Sequence, residues 1–206
     1  MSQVAERKPV RRHVDKFAVR RAQLADSALH TLSKLGYAGT SLRDIAQNSE
    51  FSHGVLHYYF RDKVDLITYC VRQYKAAAVA RYDQVVAIAS TPDELRRRWI
   101  DAMVTTLRQD APMHRLWYDL RNQSMFVDSF REDVRAIEVS LERMIGRLVD
   151  QYAQLSGLGL AVSTRLAYAL VDGVFQHALL RHIAGDDRAV AELPDHLGLV
   201  LDRVLV

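Results

Sequence analysis

The chain is poor in the residues that interrupt or cross-link a fold. Its 206 residues include one cysteine, Cys70, together with four prolines and nine glycines. A lone cysteine excludes an internal disulfide and is typical of a reducing compartment, so we expect a cytoplasmic protein. So few prolines and glycines favour long helices over a fold with many turns, and no segment shows the alternating polarity of a half-buried strand.

Long apolar runs are also missing. No uninterrupted stretch approaches the roughly 18 apolar residues of a membrane-spanning helix, and the N-terminal MSQVAERKP lacks the apolar stretch of a signal peptide. Hydrophobic residues nevertheless make up 49% of the chain, which is ample for a packed core. We therefore expect an all-α globular protein with no membrane partner.

Signatures of catalysis are absent as well. There is no glycine-rich phosphate loop, Gly-x-Ser-x-Gly elbow or cysteine–histidine pair. His53 and His57 are four residues apart, which suits a metal ion, but a zinc protease would need a glutamate where Gly54 stands. His177 and His182 are five apart and align poorly. The sequence predicts no enzyme, no catalytic residue, no metal site and no cofactor.

Charge is concentrated at one end. Residues 1–63 hold 11 Lys/Arg against 6 Asp/Glu, a balance of +5, whereas the remainder holds 17 against 19, a balance of −2. A basic head on a slightly acidic body is typical of a protein that meets a polyanion at one end. Residues 1–13 are predicted to be a disordered basic arm.

Residues 40–63 predict a helix-turn-helix. Ser41 and Asp44 form a capping-box pattern that begins one helix, and Ser52 caps a second after a three- or four-residue turn. Gly54 lacks a Cβ and would let the second helix lie close to the first. In such a motif the second helix enters the major groove, so Ser52, His53, Val55 and His57 are expected nearest the bases. The complete predicted DNA-binding set is Thr40, Ser41, Ser52, His53, Gly54, Val55, His57, Tyr58, Tyr59 and Lys63, whereas Leu56 and Phe60 are expected to be core.

The same segment resembles the tetracycline-repressor family of bacterial transcriptional regulators over about residues 15–70. The first half of the family motif is carried by Gly36, Tyr37, Thr40, Ser41, Ile45 and Ala46. The second half is carried by Ser52, Gly54, Leu56, Tyr59, Phe60, Lys63 and Leu66. His57 departs from the family, which usually has a phosphate-contacting tyrosine there. This departure and the Arg-Asp-Lys at 61–63 are similar to the branch that contains the choline-responsive betaine-synthesis repressor.

The body is predicted to complete a fold of about nine helices. After a first helix at 15–34 and the two motif helices, the expected helices are 63–89, 91–108, 111–125, 129–155, 163–184 and 194–205. The predicted domains are a helix-turn-helix domain at 14–62 and an effector-binding and dimerisation domain at 63–206.

Two surfaces of the body are candidates for function. An effector cavity, apolar with a few converging polar groups, would use Met103, His114, Trp117, Tyr118, Arg121, Tyr168, Asp172 and Phe175. Asp172 interrupts an apolar run and needs a partner, from the protein or from a ligand. A dimer interface is predicted on the last two helices from Leu166, Leu170, Val174, Ala178, Leu197, Val200, Leu201 and Val204. The alternative is that these faces pack only within the chain.

The expected function is a homodimeric repressor that a small molecule releases from a near-palindromic operator in double-stranded DNA. Two heads roughly 34–36 Å apart would meet successive turns of the duplex. The alternative is an α-helical enzyme or ligand-binding module whose basic head contacts an acidic partner other than DNA.

Overall fold

The computed structural model describes residues 10–36 and 39–206, and this part of the chain is helical without a β-strand. The α-helices are α1 (Val10–Leu35), α2 (Leu42–Gln47), α3 (His53–Tyr59), α4 (Lys63–Ile88), α5 (Pro92–Gln123), α6 (Arg131–Ser156), α7 (Thr164–Ile183) and α8 (Arg188–Arg203). A short 3-10 helix, Asp128–Phe130, precedes α6. No described helix has the length and hydrophobicity that crossing a bilayer requires.

Side-chain caps set the limits of the short helices. The Ser41 Oγ accepts from the Asp44 amide at 3.2 Å and the Asp44 carboxylate accepts from the Ser41 amide at 2.8 Å, so the predicted capping box is confirmed. Ser52 likewise accepts from the Val55 amide at 3.3 Å at the start of α3. Gly36 ends α1 with φ 72°, a conformation that glycine adopts without strain.

The start of the first helix and the boundary between the two units differ from the predicted limits. Helix α1 begins at Val10, so the prediction of disorder is wrong for residues 10–13, while the rest of the arm and Tyr37 lie outside the described residues. The chain divides into two compact units between Cys70 and Val71, later than the predicted boundary before Lys63. The first turns of α4 belong with the first unit because Asp65 pairs with Arg21 and the Cys70 thiol donates to the Ala25 carbonyl.

Helix α5 replaces two predicted helices, so the count of about nine α-helices becomes eight in the described chain. Thr91 caps its start and Pro92 occupies its first turn, as expected. Asp110 alone leaves the helical region, at φ −113° and ψ 15°, just before Pro112. Proline removes a backbone donor and crowds the preceding turn, which explains a kink at this position.

The second unit packs α5 against α6, α7 and α8. Its core is built on Trp99 and Trp117 of α5, each 1% exposed. Helix α8 begins at Arg188 rather than at about 194, and Pro194 lies within it. Burial of Ala189, Val190 and Leu193 explains the longer helix, because apolar packing outweighs the single missing backbone donor of the proline.

The predicted dimer interface is wrong for its α8 half and for Ala178. Leu197, Val200, Leu201 and Val204 are buried within their own chain, where α8 packs on α5 and α7. Of the predicted α7 residues, Leu166 and Leu170 are exposed and Val174 is half-buried, and Leu180 and Ile183 of the same helix are exposed as well. The alternative that these faces pack internally therefore holds for α8.

Truncation of α8 tests this assignment. Leu197→Ala is expected to lower the free energy of unfolding by about 2–5 kcal/mol at every protein concentration, because it leaves a cavity in the chain's own core. Leu199→Ala, on the 54% exposed neighbour, is the matched control and should cost at most about 0.5 kcal/mol within one chain. Chemical denaturation at several protein concentrations measures both, and a loss that vanishes on dilution would contradict the internal role of Leu197.

Candidate functional site

Helix α3 presents the outward face of the predicted DNA-binding motif. His53, Gly54, His57 and Tyr58 are exposed, Tyr58 to 69%, whereas Leu56 is fully buried beneath them. The Nε2 atoms of His53 and His57 lie 3.2 Å apart. Ser52 accepts one backbone bond and keeps its hydroxyl proton for a further partner. The face is thus polar, aromatic and supported by a packed underside.

Other residues of the predicted DNA-binding set are less exposed to solvent. Val55, Tyr59 and Lys63 are half-buried, and the Tyr59 ring lies 4.7 Å from the Phe17 ring. Ser41 is exposed, although its hydroxyl is engaged with the Asp44 carboxylate at 2.5 Å. Leu56 and Phe60 are core, as expected.

Two expectations for this motif are wrong. Thr40 is only 3% exposed and its hydroxyl donates to the Gly36 carbonyl at 2.6 Å, so this side chain closes the α1 turn rather than facing a phosphate. A Cβ added at Gly54 would meet no heavy atom within 4 Å, so close helix packing is not what favours glycine there. The position is open on the outward face.

A cavity of about 60 Å³ lies in the second unit, lined by α4, α5, α6 and α7. One water molecule needs about 10–15 Å³ on this measure, so the cavity suits a compact ligand of a few heavy atoms. Seven of the eight predicted effector residues line it: Met103, His114, Trp117, Tyr118, Tyr168, Asp172 and Phe175. The remaining lining residues are Lys75, Ala78, Tyr82, Leu141, Met144, Ile145 and Val171.

Asp172 anchors a network at this cavity. Its carboxylate accepts from the Tyr118 hydroxyl at 2.9 Å and pairs with the Arg121 guanidinium at 2.5 Å. Arg121, the eighth predicted residue, stands behind Asp172 rather than in the lining and also lies 2.9 Å from a Glu138 carboxylate oxygen. Arg121 and Glu138 are not aligned for a hydrogen bond, so the attraction between them is electrostatic. Asp172 therefore has its predicted partner within the protein.

Two buried tyrosine hydroxyls and the Glu138 carboxyl complete the polar network at the cavity. The Tyr168 hydroxyl donates to Glu138 at 3.0 Å. Burial raises the pKa of Glu138 above its ordinary value, although Arg121 opposes the change. Burial, with the nearby Asp172 charge, also raises the pKa values of Tyr118 and Tyr168, so both phenols are neutral donors near pH 7.

Lys75 is the polar group that sequence reasoning missed. It is 6% exposed, and its ammonium lies 3.3 Å from Nδ1 of His114. Burial lowers the pKa of Lys75 to about 7, and it holds the pKa of His114 well below 6.5, so this imidazole is neutral. One signal was available in the sequence, since Lys75 is the only lysine after residue 63.

The depressed pKa of Lys75 makes a prediction about stability. Between pH 7 and pH 10.5 the unfolded lysine keeps its proton and the folded one loses it, so stability rises with pH in this window. Lys75→Met should raise the free energy of unfolding by up to about 5 kcal/mol below pH 7, with the gain fading towards pH 10.5. Lys16→Met, at an exposed lysine of α1, is the control. Denaturant unfolding at several pH values measures the difference, and a gain independent of pH would contradict the assignment.

Comparisons with known proteins place these features in a family. The family described as "Bacterial regulatory proteins, tetR family" matches residues 24–70. The HTH-type transcriptional regulator BetI of Burkholderia thailandensis is 29% identical over 189 residues, which cover 89% of this chain and 94% of that relative.

Solved structures share the fold along most of the chain. The regulator FadR from Bacillus subtilis, in complex with stearoyl-CoA, has a TM-score of 0.74 at 17% identity and covers 89% of this chain and 98% of that one. A transcriptional regulator from Saccharomonospora viridis, in complex with choline, has a TM-score of 0.75 at 16% identity, with 92% and 98% covered.

The matched segment runs from α1 through the exposed face of α3 into α4, and the relatives extend over the body as well. Residues 24–70 match the tetracycline-repressor family and the relatives are HTH-type transcriptional regulators, so the comparisons support a DNA-binding regulator of this type that is controlled by an effector.

Proposed function

We propose that the protein is a homodimeric repressor that leaves its operator when a compact organic cation enters the cavity. The observation that carries this proposal is the composition of the cavity, which is lined by several aromatic side chains together with Asp172. Aromatic faces attract cations, and quaternary ammonium ligands are held this way in many proteins. Because the operator lies on chromosomal DNA, the proposed function places the protein in the cytoplasm.

The exposed face of α3 is the proposed DNA contact. His53 and His57 offer ring nitrogens to base edges, while Val55 offers an apolar contact to a thymine methyl. Tyr58 and Lys63 would contact phosphates, which adds affinity without sequence preference. Histidine at 57 can still donate to a phosphate, in place of the tyrosine that the family usually has there.

The proposed dimer face is a stripe along α7. Leu166, Leu170, Gly173, His177 and Leu180 follow one another at alternating spacings of four and three residues. Of these, Leu180 is 60% exposed and Leu166 48%, and all five are accessible in the single chain. This spacing is typical of a helix that packs along another helix. A symmetric pair of such faces would hold two heads for a near-palindromic operator.

Cavity size and relatives favour a small cation over a long acyl chain. About 60 Å³ is too little for a stearoyl group, whereas choline is compact. A structural neighbour contains choline, and the motif at 57–63 resembles the choline-responsive branch. Helix α4 contains both Lys63 and the cavity residue Lys75, so a displacement of this helix on ligand binding would couple the two sites.

Two substitutions separate phosphate contact from base reading. Lys63→Ala is expected to weaken binding to all duplexes alike and to lower the salt slope by about one, because one phosphate contact is lost. His53→Ala should instead change the ranking of operator variants, by about 1–3 kcal/mol at the affected base pair. Fluorescence anisotropy with duplexes from the gene's upstream region, at several salt concentrations, measures both.

Arg203→Ala, an exposed cation of α8, is the control for nonspecific loss of charge. Equal effects of the Lys63 and Arg203 variants, or an unchanged salt slope for Lys63→Ala, would contradict the phosphate role.

Calorimetry with choline and with tetramethylammonium tests the effector class. We expect binding to the protein and release of the operator, and Asp172→Asn should weaken binding at least tenfold, about 1.4 kcal/mol, because the anionic partner is lost. Asp101→Asn, at an exposed aspartate of α5, should bind like the unaltered protein. If neither choline nor tetramethylammonium binds at any pH between 6 and 9, the proposal of a cationic effector is refuted, whereas the proposal of DNA binding is unaffected.

A further inference from the structure

The body of the protein uses arginine almost exclusively for its positive charges. After residue 63 the chain has 16 arginines and one lysine, Lys75. An arginine stays charged under all ordinary conditions, whereas a lysine loses its proton when it is buried. Among the lysines and arginines of this part of the chain, Lys75 is therefore the one that can lose its charge, and it lines the cavity.

The Lys75 ammonium lies where an organic cation would be expected. Its Nζ is 5.3 Å from the centroid of the Trp117 ring and 5.7 Å from that of Tyr74. These are cation–π distances. Among the described residues, no carboxylate oxygen lies within 4.0 Å of this ammonium. Its near polar partner is the neutral His114, at 3.3 Å.

The charges around the cavity balance only when Lys75 is included. Asp172 and Glu138 contribute two negative charges, and Arg121 contributes one positive charge that pairs with both. One negative charge is left over. Both carboxylates attract the Lys75 ammonium and oppose the effect of burial on its pKa, whereas Arg121 repels it. Lys75 thus supplies the second positive charge of the cluster.

A cationic ligand in the cavity would lie close to the Lys75 ammonium. Asp110 also attracts the Lys75 ammonium but is paired with Arg81, which leaves Asp172 and Glu138 as the anions for either cation. At about 60 Å³ the cavity gives little room to separate two positive charges, and like charges at short range in a poorly solvated site repel strongly.

We propose that Lys75 is a resident cation of the cavity and that an organic cation binds by replacing its proton. In this step the Lys75 ammonium becomes a neutral amine, one proton passes to solvent, and the ligand takes over the charge that balances Asp172 and Glu138. His114 and Tyr74 offer a hydrogen-bonded path, since Nε2 of His114 lies 3.1 Å from the Tyr74 hydroxyl. The inference rests on the proposed cationic effector and adds the protonation step that controls it.

The other groups facing Lys75 do not supply this proton near pH 7. His114 of α5 is neutral because its pKa is held well below 6.5. The phenols Tyr74 and Tyr82 of α4, Tyr118 of α5 and Tyr168 of α7 have pKa values raised by burial and stay protonated. Arg121 of α5 stays charged, and Asp110 of α5 attracts the Lys75 ammonium but is itself paired with Arg81 of α4. Glu138 of α6, with its raised pKa, is the other group that requires a control.

The sign of the pH effect follows from the exchange. Below about pH 7 Lys75 is protonated in the free protein, so the affinity for the cation should increase by up to tenfold for each unit by which the pH is raised. Above pH 8 the amine is already neutral, so the affinity should level off and no proton should be released.

Calorimetry counts the proton directly. Tetramethylammonium, which has no titratable group, is titrated into the full-length protein at pH 6 and pH 9 in two buffers that differ in ionisation enthalpy. We expect about one proton released per ligand at pH 6 and none at pH 9. Lys75→Met should release none, bind at pH 6 at least tenfold more tightly than the unaltered protein, and show a flat pH profile. Lys75→Arg, whose charge is permanent, should lose binding at both pH values.

Matched control variants separate the effect of Lys75 from the effects of other titratable groups. Lys16→Met should behave like the unaltered protein. Any pH dependence that remains in Lys75→Met belongs to Glu138 and should disappear on adding Glu138→Gln. If a Lys75 variant does not fold, ¹³C labelling of lysine still reports on the unaltered protein, which has five lysines. The Lys75 ε-carbon should titrate near pH 7 without ligand, and ligand at pH 6 should shift it to its neutral position.

The outcomes distinguish this inference from the proposed function. Binding without proton release at pH 6, or a Lys75 carbon that stays protonated in the complex, overturns the exchange while the cationic effector stands. Absence of binding by both tetramethylammonium and choline overturns the effector class itself. A carboxylate ligand that binds with proton uptake would show that Lys75 instead pairs with an anion, and would overturn both.

Discussion

Charge compensation inside the helical body is the constraint on which its polar interior depends. Lys75 is buried, and Asp172, Glu138 and Arg121 are partly buried. A buried charge without a partner is costly, and burying charged groups in a packed core stabilises a protein little in itself. These groups lie on four different helices, so the charge balance exists only when α4, α5, α6 and α7 are packed together.

The head is organised on a different principle, in which the backbone rather than buried charge sets the geometry. Helices α2 and α3 have only six and seven residues, too few to be stable alone. Hydroxyl caps satisfy their first amides, and a buried underside of leucine, isoleucine and phenylalanine orients them. The opposite face of α3 is thereby left free for polar contacts, as a DNA-reading helix requires.

The outcome for α7 and α8 shows where periodicity stops being informative. Both helices repeat apolar residues at helical spacing, and the sequence treats the two stripes alike. In the structure the α8 stripe faces α5 and α7, whereas part of the α7 stripe remains outside. An apolar stripe indicates only that a face is covered. Whether its cover comes from the same chain or from a second copy depends on how many helices the chain itself can place around it.

Local chemistry was readable directly from the residues. The capping box at Ser41, the cap at Ser52, the stop at Gly36 and the helical class all follow from interactions between neighbours a few residues apart, so they need no knowledge of the fold. Half of the cavity lining, seven of its fourteen residues, also follows from the sequence, because aromatic and sulfur side chains are mixed with polar ones in these helices.

Long-range packing settled the rest. The burial of the α8 stripe against α5 and α7 and the placement of Lys75 beside Trp117 depend on residues far apart in the chain. A lysine in a helix is ordinarily solvated, and its pattern alone predicts a surface position. Only the meeting of α4 with α5, α6 and α7 removes the water around this amine, and that loss of solvation gives it a chemistry that no local pattern encodes.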